Sequence, residues 1–458
     1  MIISVKNVTL SYDETNGTMI PGFLPRSGFM GLEERLDITS APGWRFLFGD
    51  QQNMRPILVQ NKWITSDTLL NQQYTQQYTS RLNFRSTLEP IRKLRIQLTA
   101  QRSQNRNNSE TYRNMGGIES PIFESLNQNE IGSFTMSFMA IGTAFRPMNL
   151  NSSETFDDFR NIRSEISKRL AAQYNMAYNP SDLYAIGLGP SSQEVLIPAF
   201  MAAYSGKSAS SQTLEKFPAI PMPNWTVKYD GLINIPWVKK RFKTASISHG
   251  YSSTYSVNSY QTNLFYGALE NPFTGTIESN PENFDVNGNY LTQYQMQTVN
   301  ISEQFNPLIK LDVTLNNSLT TRVEFSKDRQ VSLSLSNNQI QEQSGKSFTL
   351  GVGYRLTDFE INLSTAKGNK TFSSNLDLNL DVSVRKTASA IRSLEENTHQ
   401  PVSGSTDVSI KTSADYVLSE RINIQLFYDR IVKKYEVANS FDTVNSSFGI
   451  KLRFSFGS

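Results

Sequence analysis

Residues 375–384 read NLDLNLDVSV. Leu376, Leu378, Leu380, Val382 and Val384 alternate there with Asn375, Asp377, Asn379, Asp381 and Ser383. A period of two puts the two sets on opposite faces of a β-strand, because successive side chains leave opposite sides of the pleat. One face needs an apolar medium and the other needs water. Two environments meet that demand. In one, an antiparallel sheet rests one face on a core and wets the other. In the other, a membrane barrel turns its apolar face to lipid and its polar face to a wet lumen.

The pattern recurs from about Leu308 onward. Ile309, Leu311, Val313 and Leu315 alternate with polar residues, as do Val331, Leu333 and Leu335, then Phe348, Leu350, Val352, Tyr354 and Leu356. After the opening stretch come Val408, Ile410, Thr412, Ala414 and Tyr416, next Ile422, Ile424, Leu426 and Tyr428, and last Phe448, Ile450, Leu452, Phe454 and Phe456. A ten-residue strand is about 34 Å long and, tilted near 40°, rises roughly 25 Å, the height of an outer-membrane apolar band. Strands of soluble sandwiches are more often about 5 to 6 residues long, so the lengths favour a barrel. Turns are expected at Ser419-Glu420 and Lys327-Asp328, and long polar loops over 337–346, 386–404 and 433–440, short on one rim and long on the other. Asn316-Asn317 and residues 357–370 do not follow that alternation.

Composition narrows the function classes. The chain has 458 residues, 38% of them hydrophobic and 19% charged, with a mean hydropathy of -0.41. No window approaches the ~20 apolar residues of a spanning helix, whereas a spanning strand needs only alternate ones. With 44 Lys+Arg against 41 Asp+Glu, the charge gives no sign of a nucleic-acid partner. Zero cysteines exclude disulfides, zinc–thiolate sites and thiol catalysis. The two histidines, His249 and His399, lie near no nucleophile and no metal-ligand spacing, so His249 reads as a hydrogen-bonded strand residue and His399 as a solvated loop residue. Glu395-Glu396 reads as solvated. Gly351-Val352-Gly353 reads as strand glycine with a close neighbour, since no helix follows to make a phosphate loop. The chain is read as no enzyme, with no cofactor and no metal.

Three parts are expected: barrel strands and loops over 1–145, a helical insert with a proline-rich exit over 146–223, and barrel strands over 224–458. Residues 132–145, GSFTMSFMAIGTAF, read as strand. Helical spacing begins at 152 and runs to 174, where Phe156, Phe159, Ile162, Ile166 and Leu170 form one stripe. A second helix is expected over 191–204, kinked or begun near Pro198, before prolines 218, 221 and 223 enforce an extended exit. An insert of this size suggests work at a barrel mouth or in its lumen. We expect Phe159, Ile162 and Ile166 to pack inward while the insert caps or lines one mouth.

The final stretch, SFGIKLRFSFGS from 447, places Ser447, Gly449, Leu452, Phe454 and Phe456 in a pattern resembling the C-terminal signal that outer-membrane barrels present to the barrel assembly machinery. Its physical use is a strand edge with unpaired backbone groups, on which pairing can be templated. On this alternation Leu376 to Val384 face the lipid bilayer, and Asp377, Asp381, Lys451 and Arg453 face the lumen.

Several blocks are more specific: GTMIPGFLPRSGFMGLEE (17–34), APGWRFLFGDQ (41–51), VLIPAFMAAYSG (195–206), FPAIPMPNWTVKYDGL (217–232), HGY (249–251) and SADYVLSERINIQLFYDR (413–430). From about residue 6 to its end the chain resembles the C-terminal part of the SprA (Sov) family, the outer-membrane translocon of the type IX secretion system in Bacteroidetes, a system linked to gliding motility. The resemblance implies an all-β fold, a sector of a very large antiparallel transmembrane β-barrel with a helical insert. It also implies a conduit for folded secreted cargo, a periplasmic plug protein, and a lateral opening used by a PorV-like shuttle protein. Family members are several times longer. Residues 1–7 show no basic region, apolar core or cleavage site, so the chain is expected to be a piece of something larger, because a sector alone leaves two open edges in lipid. The alternatives are a TonB-dependent uptake barrel, which should carry an N-terminal plug and an energy-coupling box that are not found here, a lipopolysaccharide-inserting barrel, and a soluble β-rich surface adhesin.

Overall fold

The computed structural model describes residues 5–28, 31–33, 40–117, 119–176, 178–263, 265–266, 284–365, 368–419, 422–437 and 440–454. The strands are β1 (Val5–Met19), β2 (Tyr74–Leu88), β3 (Leu94–Asn114), β4 (Phe123–Ser137), β5 (Met148–Asn149), β6 (Ser152–Ser153), β7 (Asn224–Tyr229), β8 (Phe242–Thr262), β9 (Tyr294–Met296), β10 (Thr298–Leu315), β11 (Leu319–Ser334), β12 (Gln339–Thr365), β13 (Gly368–Ser393), β14 (His399–Ser419), β15 (Ile422–Tyr435) and β16 (Thr443–Phe454). Between them lie helices α1 (Trp44–Leu47), α2 (Arg55–Gln60), α3 (Glu154–Gln173), α4 (Gln193–Ser205) and α5 (Pro236–Arg241).

All strands but β5 and β6 join one 14-stranded sheet, in the order β1-β2-β3-β4-β8-β10-β11-β12-β13-β14-β15-β16, with β7 between β3 and β8 and β9 on β8. Every pairing is antiparallel. β1 and β16 are the edges and do not pair with each other, so among the described residues the sheet is open. No described helix is long and apolar enough to cross a membrane.

The strands run further than their hydrophobic pattern suggests; β12 has 27 residues and β13 has 26. Where a turn is expected at Lys327-Asp328, β11 continues, with Lys327 opposite Lys346 and Asp328 opposite Gly345. The reason is charge compensation: Arg329, next in line, is neutralised by Glu303 of β10, so a polar run can be strand interior. Residues 337–346 and 386–404 are likewise strand rather than loop for most of their length, leaving tight connections at 335–338 and 394–398. Residues 357–365 and 368–370 extend the β12–β13 pairing, with one irregularity between Leu356 and Phe359 where Asp358 takes a φ of 56°. Glu420 lies outside the described residues. The rim asymmetry holds in part. One rim carries the connections 89–93, 230–241 and 316–318, and the opposite rim carries the tight 335–338 and 394–398 together with 115–122, 436–442 and the two longest, 20–73 and 263–293.

The helical insert leaves the sheet from the middle of a strand. β4 pairs with the stretch of β3 from Arg102 to Asn114, and β7 pairs with the stretch from Leu94 to Thr99. On the other side, Ser137 faces Thr254 and Trp225 faces Tyr251 of β8. β4 and β7 are therefore two halves of a single strand lane, and residues 138–223 are the excursion between them. The ends of that excursion meet, since the Met222 amide donates to the Ser137 carbonyl at 2.9 Å. The strand expected over 132–145 stops at Ser137, and Ile141–Thr143 form a 3-10 turn, because Phe138 and Ala140 pack into the insert core instead of continuing the lane.

Within the insert, Ser153 caps α3 by accepting from the Phe156 amide. The stripe is buried as its spacing predicts: Phe156, Phe159 and Ile166 are 0% exposed, and Ile162 packs against the same core from a partly buried position. In α4, Pro198 sits inside the helix rather than at its start. That helix ends at Gly206, whose φ is 77° and whose added Cβ would lie 3.1 Å from the backbone carbon of Gly142. Both the left-handed backbone and the close approach exclude a side chain. Gly206→Val is expected to destabilise the insert by roughly 2–4 kcal/mol, read as an earlier denaturant midpoint for protease resistance of residues 150–215.

Candidate functional site: an uncovered apolar band and a docked insert

Strand register sorts the side chains into two continuous faces. Leu378 stands opposite Tyr354 and Ala414, Leu380 opposite Val352 and Thr412, and Val384 opposite Phe348 and Val408. Ala414 in turn faces Leu426, and Leu426 faces Ile450. The result is one apolar band across β12 to β16, joined on β11 by Val323 and Phe325. Nothing covers it. Leu378, Leu380, Leu452 and Phe454 are 37%, 39%, 57% and 54% exposed, and Val352, Tyr354, Leu378, Leu380, Leu426, Tyr428 and Phe448 line a shallow open groove of about 400 Å³. A monomeric soluble protein rarely exposes an apolar patch above a few hundred Å².

The reverse face is polar. Arg355 donates twice to Asp377, at 2.5 and 2.9 Å, and Arg385 meets Asp328 at 2.9 Å. Asp381 lies opposite Lys411, Gln425 opposite Lys451, and Asn423 opposite Arg453. These pairs are exposed and contribute little stability, but they coat the face with both signs of charge. The glycine reading is explained here: added Cβ atoms at Gly351 and Gly353 would lie 2.6 Å from the Asp381 carboxylate and 2.5 Å from the Thr320 hydroxyl, so polar neighbours lean across both. Gly449 has the same role for an aromatic ring, since Phe427 would stand 2.7 Å from its Cβ while Lys451 caps that ring at 4.6 Å. Of the residues read as an assembly signal, Ser447 and Gly449 are on the polar face and Leu452 and Phe454 on the apolar one; Phe456 lies outside the described residues.

The insert docks on the apolar face, beyond the band. On β11, Val323 and Phe325 share a side with Val331 and Leu333, and no irregularity interrupts the β11–β12 register. Val331 and Leu333 belong to the insert's core, together with Phe134, Met136, Tyr255, Val257, Val299, Ile301 and Ile340. The insert thus covers the half of this face nearer the rim with the longer connections. It lies on the side opposite the polar face. The physical reason is that Val257, Val299, Ile301, Val331, Leu333 and Ile340 offer the helices' stripes an aliphatic surface to bury on this side of the sheet.

Two buried ion pairs fix its position. Arg392 donates to Glu342 at 2.5 Å, with side chains 0% and 1% exposed, and gives its remaining donors to the Asn149 and Ser152 carbonyls and to His399. The other Glu342 oxygen accepts from Ser153 at 2.9 Å and Tyr204 at 2.6 Å. Burial and the Glu342 carboxylate push the Tyr204 phenol well above its usual pKa, so it remains a donor. Arg329 meets Glu303 at 2.9 Å and also donates to the carbonyl and hydroxyl of Thr143. Tyr251 donates to Glu303 and accepts from the Ala140 amide, both at 2.9 Å. His399 is therefore half-buried, bonded to Arg392 and edge-on to Phe156 at 5.7 Å, which corrects its reading as a solvated residue. His249 is hydrogen-bonded on β8, to the Leu308 carbonyl at 2.6 Å. Removing the cap with Ser153→Ala should cost about 1–2 kcal/mol and show as faster amide exchange in the first turn of α3. Among the described residues no cluster of three metal-ligating side chains occurs.

No protein-family model and no curated protein matches the chain. Among solved structures it is similar to OmpT, an outer membrane protein of Vibrio cholerae, with 8% identity and a TM-score of 0.22 over 98% of this chain and 99% of that one. It is also similar to the ferric-catecholate import receptor Fiu of E. coli K12, with 9% identity and a TM-score of 0.22 over 94% of this chain and 56% of that one. Superpositions this loose carry no weight for function, which is argued below from the sheet itself.

Proposed function

We propose that the chain is a sector of wall in an outer-membrane β-barrel, with the band against lipid and the polar face lining a water-filled passage. The observation that carries this is the band of β12 to β16 beyond the insert: one face is apolar, the other charged, and among the described residues no second layer packs on either there. Two different solvents suit such a wall. On β13 the band runs from Leu376 to Val384, which with a strand rise near 3.4 Å and a tilt near 40° gives roughly 20–25 Å of height, the thickness of an outer-membrane apolar band. Longer connections lie on the outer side of such barrels, so the rim bearing the insert faces the cell surface. The unpaired edges β1 and β16 suit continuation by further strands, since open edges are not viable in lipid.

Within that reading, the resemblance of the quoted blocks to the SprA family supports a finer one: a protein-conducting wall of the type IX translocon, passing folded cargo with a PorV-like shuttle and a periplasmic plug. An uptake barrel is the competing reading. Because the chain has no cysteine, single cysteines report cleanly on the faces. In the bilayer-inserted barrel, a membrane-impermeant thiol reagent is expected to label cysteines at Asp377, Asp381, Lys451 and Arg453, and to spare those at Leu378, Leu380, Leu452 and Phe454. Equal labelling of both sets would remove the wall reading. Co-purification of a shuttle or plug protein with the intact barrel separates translocon from uptake barrel.

A further inference from the structure

At the boundary between the band and the insert-covered half, one row of the apolar face is basic. Lys327 of β11 stands directly opposite Lys346 of β12, and Lys346 directly opposite Lys386 of β13. The same row continues through Thr406 of β14 to Lys434 of β15. The next row toward the band is Phe325, Phe348, Val384, Val408 and Val432. Arg430, one row further in opposite Ile410, has a side chain long enough to reach back to the boundary.

Like charges directly opposite on neighbouring strands, about 5 Å apart, destabilise a sheet. Three in succession need compensation. Lys327 has it in part, donating to the Ala144 carbonyl and lying 4.7 Å from the Phe145 ring. Lys386 has it from Glu436 at 2.7 Å. Lys346, Lys434 and Arg430 are exposed and pair with no carboxylate among the described residues. Nor can the band supply one: from this row to the short-turn rim, the apolar-face positions of β13, β15 and β16 that pair in register hold no Asp or Glu. An anion supplied from outside the chain would sit at the edge of an apolar layer, where acyl chains end and headgroups begin.

We propose that the basic row of Lys346, Lys386 and Lys434, with Arg430, binds phosphate-bearing anionic lipid headgroups and so sets the height at which the band sits in the bilayer. This rests on the wall reading above. The charge is arranged for a layer rather than for one small ligand: the ammonium groups are spread along one register row across β12 to β15 instead of being gathered at a point. Polybasic surfaces gain about fivefold in partitioning per lysine at an anionic membrane.

The test uses the chain within the intact, edge-closed barrel, refolded with vesicles of phosphatidylcholine alone or with 30% phosphatidylglycerol, followed by tryptophan fluorescence. Wild type should insert into the anionic vesicles at roughly 100-fold lower lipid concentration, and 0.5 M salt should abolish most of that advantage. The triple variant Lys346→Gln, Lys386→Gln, Lys434→Gln should lose the advantage while still inserting into phosphatidylcholine. The corresponding triple arginine variant should keep it, and Lys433→Gln, a charge change on the polar face, should leave it intact. An unchanged lipid preference in the glutamine variant overturns the proposal. So does an equal effect of 10 mM inorganic phosphate on insertion into phosphatidylcholine, which assigns the row to free phosphate. Failure of the intact barrel to insert into either vesicle overturns the wall reading, and this proposal with it.

Discussion

Leu380→Arg is expected to lower the stability of the membrane-inserted chain by ~2 to 4 kcal/mol, whereas Asn379→Arg, one residue away, should change it by no more than about 0.5 kcal/mol. The contrast follows from register. Leu380 lies mid-band between Val352 and Thr412, on the side where no described residue covers it. Asn379 points to the other side, between Gly353 and Ser413. In lipid, the arginine at 380 is too far from either headgroup layer to place its charge in water without distorting the bilayer. Denaturant titration in vesicles measures both. In detergent micelles, which deform around a charge, the difference should shrink. Equal costs for the two variants would show that both faces meet the same solvent, and a soluble sheet would then be the better description.

Arg392→Ala should be nearly as damaging, about 3–5 kcal/mol, because it strands the Glu342 carboxylate in a site that is 1% exposed. Ser153 and Tyr204 can still donate to it, but two neutral donors do not replace a guanidinium. The loss should be local. Protease cleavage within 150–215 should accelerate and amide exchange in α3 and α4 should rise, while β14 to β16 stay protected. Replacing both charges, as Glu342→Met with Arg392→Met, should restore most of the stability, since a buried pair is often matched by apolar residues of similar volume. If the double variant is as unstable as the single one, the ion pair holds the insert through its geometry and not merely by filling space.

The difference between what was legible and what was not has a physical origin. NLDLNLDVSV and its neighbours are readable because the two faces meet different surroundings, and nothing else in the chain interferes with the alternation. The α3 stripe is readable for the same reason at a different period. The far halves of β11, β12 and β13 are not, because there the apolar-face positions include Arg329, Glu342 and Arg392. Each is neutralised by a residue on another strand, and a polar run with its charges paired across strands is indistinguishable, in one sequence, from a loop. Glu303, Tyr204 and Tyr251 go unnoticed on the same ground. The one local signal was parity, since a charge recurring in step with aliphatic residues along a long strand marks a buried partner. Phe138 and Ala140 failed in the opposite sense: an apolar run read as strand leaves the sheet to begin the insert.

The split lane between β3 and β8 has a consequence for the order in which this protein comes together. β4 can pair with β3 as soon as it is made, through a local connection, but the remaining half of β3 waits for β7. Residues 138–223 separate the two halves, and closing an unstructured loop of that length costs on the order of 4 kcal/mol. A folded insert removes most of that cost, because it holds Met222 within hydrogen-bonding distance of Ser137. The insert's own core takes side chains from β8, β10, β11 and β12 in turn, so the lane and the helices complete one another: neither is finished until the other is in place.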